Sequence, residues 1–199
     1  MKKFAALLLG SILAVSLASC AQSEPTSENT EQSAAETTTE SPEAAKEFDE
    51  KALETVKSCM KVVWEDGDAV AAVNFMYPEE IVAKSFQSEA QICSAVFGCD
   101  ALPGGLKIEE LKVDKCVPLT ASQLKDAEKY YEGYASVVSQ LPDTDYTVLK
   151  GREITTTAVL KNTLGNLRDY SSSYVVVDMG DDGYKVITGE ASQIEKFAK

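Results

Sequence analysis

Hydrophobic and polar positions divide the chain into three regimes. Phe4 to Leu17 is almost continuously apolar, Ala21 to Ala45 has hardly a large apolar residue, and from Lys46 onward apolar and polar positions alternate with definite periods. Phe48, Ala52, Val56, Cys59 or Met60, and Val63 recur at helical spacing, which predicts an amphipathic helix from about Glu47 to Trp64, closed by Gly67. Asp68 suits the N-cap of a second short helix through Val73 and Met76 that ends at Tyr77-Pro78. Pro78 suits the first turn of a third helix, with Glu79 and Glu80 near its positive end and Ile81, Val82 and Phe86 facing inward. Ile92, Val96 and Phe97 predict a further helical piece that stops at Gly98.

After Pro103-Gly104-Gly105 the pattern turns towards period two. Ile108, Leu111 and Val113 belong to a β-prone run reaching Val117, with an irregularity near Glu109-Glu110 that suits a bulge. Thr120 with Gln123 three residues later is a capping box, so a helix is expected from Ala121 to about Gln140, burying Leu124, Ala127, Tyr131, Tyr134 or Ala135, and Val138. Three β-rich segments follow: Tyr146 to Leu160, Ser173 to Met179, and Tyr184 to Thr188. The last two flank Gly180-Asp181-Asp182-Gly183, a strong hairpin signal. The expected fold class is α+β, with N-terminal helices packed on an antiparallel sheet.

The first two regimes read as processing and tethering. Lys2 and Lys3 precede the apolar run, which is shorter than the about 20 residues a membrane span needs and so reads as a signal-peptide core over residues 1–19. Leu17-Ala18-Ser19-Cys20 resembles the lipobox of bacterial lipoprotein precursors. That resemblance implies a lipidated, palmitate-bearing Cys20 and a protein held on a cell membrane or envelope, facing outside the cytoplasm. One acyl chain binds only marginally, at about 0.8 kcal/mol per buried CH₂, so the two or three chains the resemblance implies are what make an anchor stable. The Ser, Thr, Glu, Gln and Ala of residues 20–46 bury too little surface to offset ordering entropy, and read as a disordered acidic tether with a reach on the order of 25–30 Å. Residues 47–199 are long enough for one domain with its own core.

Charge and composition narrow the partners. Nineteen basic against 32 acidic residues give a net charge of −13, which argues against nucleic acid as a partner. The chain has no histidine, so the commonest general base and metal ligand is missing, and no cofactor or metal is expected. Beyond Cys20 stand Cys59, Cys93, Cys99 and Cys116, an even number that permits disulfides in an exported chain but lacks the spacing of a zinc site. If Gly98 ends a helix in a Schellman turn, Cys93 and Cys99 come together; Cys59 and Cys116 could meet across a helix–sheet interface, or remain buried thiols.

The Trp64–Asp68 hinge, the short helix into Met76-Tyr77-Pro78-Glu79, and the final hairpin from Tyr174 to Thr188 together resemble the NTF2-like superfamily, in particular its lipoproteins. The resemblance implies a curved antiparallel sheet wrapped around helices as a cone, a scaffold that holds small ligands, hosts enzyme sites or mediates contacts. The helix at Ala121–Gln140 and the cysteines depart from the plain pattern.

Candidate chemistry is sparse. Glu65, Asp66 and Asp68, and likewise Asp178, Asp181 and Asp182, cluster near glycines, but neither set has the spacing of a calcium loop, and a helix cap and a polar turn account for them. Trp64, Phe75, Tyr130, Tyr131 and Tyr134 could line a ligand cleft, although their helical spacing also suits a core. The sequence therefore points to a membrane-tethered module that binds a small ligand or an envelope protein. The alternatives are a histidine-free hydrolase or isomerase working through a buried Asp or Glu, which needs a carboxyl of raised pKa, and a structural envelope protein.

Overall fold

In a computed structural model of the protein, residues 41–141 and 144–197 are described. The element order is α1 (Pro42–Lys61), α2 (Ala69–Met76), α3 (Glu79–Ser85), α4 (Glu89–Ile92), β1 (Lys107–Pro118), α5 (Ala121–Val137), β2 (Lys150–Lys161), β3 (Leu167–Asp178), β4 (Tyr184–Thr188) and α6 (Ala191–Phe197). The four strands form one antiparallel meander in the order β1-β2-β3-β4. The fold class is α+β, as the periodicities predict.

Two helix starts are set by caps visible in the sequence. Asp68 accepts the Ala71 N–H at 2.9 Å to open α2, and Thr120 with Gln123 forms the full capping box that opens α5. The start of α1 differs from expectation: it begins at Pro42, several residues inside the segment read as tether. Ser41 accepts the Ala44 N–H, Pro42 takes the first helical position and Glu43 lies at the positive end, so a cap offsets the weak burial of these first residues.

Helix α1 runs on through a π-helical turn at Val62–Asp66 that Gly67 terminates with φ of 67°. Gly105 and Leu106 then donate to the carbonyls of Glu65 and Trp64 at 2.7 and 2.8 Å, which ties the end of this helix to the start of β1. At that crossing Gly67 meets Gly104 backbone to backbone: a β-carbon on Gly67 would lie 2.9 Å from the Gly104 α-carbon.

Sheet residues are buried on both faces. Ile154, Ala158, Leu160, Tyr174, Val176 and Val186 pack against Phe48, Ala52, Val56, Cys59 and Met60 of α1. Val175, Val177 and Ile187, which alternate with that set, pack with residues of α2, α3, α5 and α6. In β1 the residues facing α1 are Ile108, Leu111 and Val113, a spacing that breaks period two. Register shifts at Ile108/Glu110 and Val113/Lys115 absorb the extra residues, so that these side chains oppose Leu160, Ala158 and Thr156 in turn. The bulge expected near Glu109-Glu110 is therefore present, with a second one beyond it.

Three further segments differ from the sequence expectation. The β-rich pattern from Tyr146 does not pair until Lys150; Tyr146 and Val148 instead point into the core beside α5. Strand β3 starts at Leu167, before its apolar part, because Asp169–Ser173 continue the ladder with β2. Helix α6, which the periodicity did not predict, buries Ala191 and Ile194 in the same core as Ala127 and Tyr131 of α5.

Two substitutions test this packing. Gly67→Ala must place a β-carbon both at positive φ and against Gly104, and should lower the unfolding free energy by about 2 kcal/mol in urea titration. Thr156 is fully buried in the row facing α1, and its hydroxyl has no hydrogen-bond partner among the described residues. Thr156→Val should therefore be neutral or raise stability by about 1 kcal/mol in the same measurement.

Candidate functional site

The candidate aromatics do not converge on a cleft. Trp64 sits on the α1 side of the sheet, edge-on to Tyr170 with ring centroids 4.9 Å apart, and Phe75 belongs to the same apolar cluster. Tyr130, Tyr131 and Tyr134 lie in the other cluster, on the far side of the sheet. There they surround Tyr77, a residue the sequence reading used only as a helix end. The Tyr77 ring lies 4.3 Å from that of Tyr134, is stacked at 6.5 Å on Tyr130, and meets Tyr131 edge-on at 6.5 Å. These separations are those of favourable packed aromatic pairs.

The hydroxyls of this cluster are used internally. Tyr131 donates to the Met76 carbonyl at 3.2 Å, and the Tyr77 and Tyr130 hydroxyls share a hydrogen bond of 3.2 Å. Burial pushes the Tyr130 phenol up to about 12 and raises Tyr131 and Tyr77 well above the usual phenol range; neighbouring phenols add to the shift at Tyr77 and Tyr131. A cluster of neutral, hydrogen-bonded rings is a filled core. Its shape follows from helix geometry: Ala127, Tyr131, Tyr134 and Ala135 share one face of α5, and the Met76-Tyr77-Pro78 corner inserts against it.

Two open depressions lie on the surface. One of about 480 Å³ is lined by Glu79, Glu80, Ala83 and Asp182, and Tyr146 donates to Glu80 at its edge over 2.7 Å. The other, of about 310 Å³, runs beside α1 between Lys51, Glu54, Thr55, Ser58, Phe75 and Tyr184. Phe75 is thus a candidate aromatic that borders a groove.

The acidic clusters have structural duties. Glu65 accepts the Ile108 N–H at 2.9 Å, Asp68 caps α2, and Asp178 accepts the Gly180 N–H at 3.0 Å in the turn before β4. Among the described residues no group of three His, Cys, Asp or Glu side chains is placed to hold a metal ion, and no Asp or Glu is fully buried. Glu47, Glu109 and Asp114 are held below the usual carboxylate range by surface lysines: Lys51, Lys107 and Lys112 respectively, each chiefly through a hydrogen bond. That is opposite to the shift a carboxyl acid–base catalyst needs.

Among the described residues the buried charged side chain is Arg152, 6% exposed, which pairs with Asp49 and lies 4.8 Å from the centre of the Phe48 ring. The sequence reading passed over it. In sequence it stands between Gly151 and Glu153, just after Lys150, and nothing in that charged stretch singles it out; only its cross-strand partners Pro118 and Val176 are apolar.

All four cysteines within the described residues are free thiols, so neither expected disulfide is formed in this structure. Cys93 and Cys99 do come together across Gly98. Cys59 and Cys116 do not: Cys59 is buried on α1 with its thiol pushed up to about 12 by burial, whereas Cys116 is exposed near Asp49 and Arg152, at the other end of that helix. Cys20 and the segment from Ala21 to Glu40 lie outside the described residues. No helix among the described residues is long and apolar enough to cross a membrane.

Among the described residues, no helix covers one surface of the sheet. Beyond Val175 and Val177, the face turned away from α1 carries Lys112, Thr155, Thr157, Ser171 and Ser173, none of them buried. Thr155 and Ser173 share a hydrogen bond of 3.0 Å across the strands, and Thr157 donates to Asp114 at 2.6 Å. The reading from periodicity missed this face because Thr155-Thr156-Thr157 and Ser171-Ser172-Ser173 carry no hydrophobic alternation.

Comparison of the chain with protein-family models, with curated proteins and with solved structures gives no match.

The tyrosine cluster makes stability sensitive to alkali. Phenols raised in the folded state stabilise it fully below the unfolded pKa of about 10, and that stability is lost as pH rises above it, because the unfolded chain ionises first. Urea midpoints should be flat up to about pH 9.5 and fall beyond about pH 10. Tyr131→Phe should cost about 1 kcal/mol from loss of the bond to Met76.

Proposed function

We propose that this chain is a membrane-tethered extracytoplasmic lipoprotein, anchored through Cys20, whose folded domain acts as a protein-interaction module in the cell envelope. The observation that carries the reading of the domain is its filled interior beside a sheet face that no helix covers among the described residues. Tyrosines that would line a small-ligand cleft are packed on one another, while Thr155, Thr157, Ser171 and Ser173 present hydroxyls on a continuous ladder. Such a surface, polar and flanked by Lys112 and Asp114, suits a rim-like protein contact more than an apolar ligand. The lipobox-like Leu17-Ala18-Ser19-Cys20 supports the anchor.

An NTF2-like relationship is part of the same proposal. Its support is the long N-terminal helix, the short helix into Tyr77-Pro78 and the closing antiparallel strands. Helices on both sides of the sheet set this domain apart from a plain cone.

Fractionation and capture test the two halves separately. The native chain should sediment with membranes and release only into detergent, and Cys20→Ser should move it to the soluble exported fraction; unchanged sedimentation would overturn the anchor. From detergent-solubilised envelope the domain should recover a stoichiometric partner, and Ser171→Arg should lower that recovery about tenfold with Tm unchanged. A small molecule bound one-to-one, with recovery of protein insensitive to Ser171→Arg, would replace the interaction reading by a ligand-binding one.

A further inference from the structure

The segment that follows α3 is built to bring two thiols together. Ser88 opens α4 by accepting the Gln91 N–H, and a π-helical turn over Cys93–Phe97 prolongs it. Gly98, with φ of 63°, reverses the chain in the left-handed region that favours glycine. Both Gly98 and Cys99 then donate their N–H groups to the Cys93 carbonyl, Cys99 over 3.1 Å, and the Cys99 Sγ lies 3.8 Å from that same oxygen. The backbone and the side chain of Cys99 are thus both folded back on Cys93. A disulfide joins α-carbons about 4.4–6.8 Å apart, a range that a hydrogen-bonded reversal of this kind supplies without moving the helix. Exposure is divided between the two: Cys93 is 1% exposed within the core, and Cys99 is half-buried at its rim.

We propose that Cys93 and Cys99 form a disulfide that staples the Gly98 turn when the protein meets an oxidising disulfide, low-molecular-weight or protein-borne. Cys99, the accessible thiol, loses its proton and its thiolate attacks one sulfur of the oxidant, expelling a thiolate and leaving a mixed disulfide. Cys93, deprotonated in turn, attacks the Cys99 sulfur and expels the second thiolate. The two protons released re-protonate the two leaving thiolates. Two electrons pass from the cysteine pair to the oxidant, which ends as two thiols.

The thiol chemistry matches a structural staple rather than an exchange catalyst. Burial first, then the neighbouring Cys93 and Asp100, raise the Cys99 thiol, so its thiolate is scarce and closure is slow. What the bond would fix is the exit from the helical half. The chain leaving Cys99 reaches Gly104, which packs on Gly67, and then Gly105 and Leu106, which bond to the end of the α1 helix.

The oxidising setting rests on the proposed export; the pairing does not, and the test separates them. The full chain carrying Cys20→Ser, expressed in the cytoplasm and reduced, is equilibrated in glutathione buffers of rising oxidised fraction, then alkylated and mapped by peptide mass. The expected result is a mass lower by two hydrogens, a link between Cys93 and Cys99, alkylated Cys59 and Cys116, and a Tm rise on the order of 5 °C. Cys99→Ser, a substitution at the half-buried member that leaves the core intact, should abolish both the link and the rise. A stable glutathione adduct on Cys99 without closure, or a link through Cys59 or Cys116 instead, would overturn the proposal. If the pair closes in these buffers but is reduced in chain recovered from exporting cells, the export reading fails and the pairing stands.

Discussion

Strand β3 is the constraint on which the rest of the domain depends. Tyr174, Val175, Val176 and Val177 are buried one after another, so successive side chains need cover on opposite faces of the sheet. Each fully buried valine stabilises by about 1.5–3 kcal/mol relative to leaving it exposed, and no single layer of helices can supply both sides. Helix α1 covers one face; α2, α3, α5 and α6 cover the end of the other. The polypeptide must therefore pass from one side of the sheet to the other between α1 and α5. The π turn, Gly67 and the short helices are how it does so.

That division also explains the placement of polar groups. The single-helix side carries Arg152, paired with Asp49 and stacked on Phe48 in the first half of α1. The multi-helix side is filled by tyrosines whose phenols bond to one another, to the backbone or, for Tyr146, to Glu80. Where the helices stop, the same face becomes a ladder of threonine and serine.

Much of the fold was legible because local signals agreed with tertiary demands. Asp68, Thr120 with Gln123, Gly67 and Gly98 set helix ends where their side chains or φ angles require them, and Gly180–Gly183 set the last turn. The start of α1 was missed because Ser41-Pro42-Glu43 is a capping signal inside a composition that otherwise reads as unstructured. Tyr146 and Val148 alternate like a strand but are drawn into the core beside α5, so burial and not pairing decides their conformation. The candidate site was less legible still. Helical spacing says that Tyr130, Tyr131 and Tyr134 share a face, but not whether that face meets solvent or Tyr77. Hydroxyl runs such as Ser171–Ser173 have no periodicity to read.

The bond between Arg152 and Asp49 has a mechanical meaning. Asp49 lies within the first turns of α1, ahead of Ala52, Val56 and Cys59 in the core. Tension applied through the chain that precedes Ser41 enters the domain at the start of this helix and meets the ion pair, with Phe48 wedged beneath the guanidinium, before it reaches the other apolar contacts. Helix α1 would have to peel from the sheet turn by turn, beginning at the Arg152–Asp49 pair, so the load is met where a charged lock and an aromatic wedge coincide.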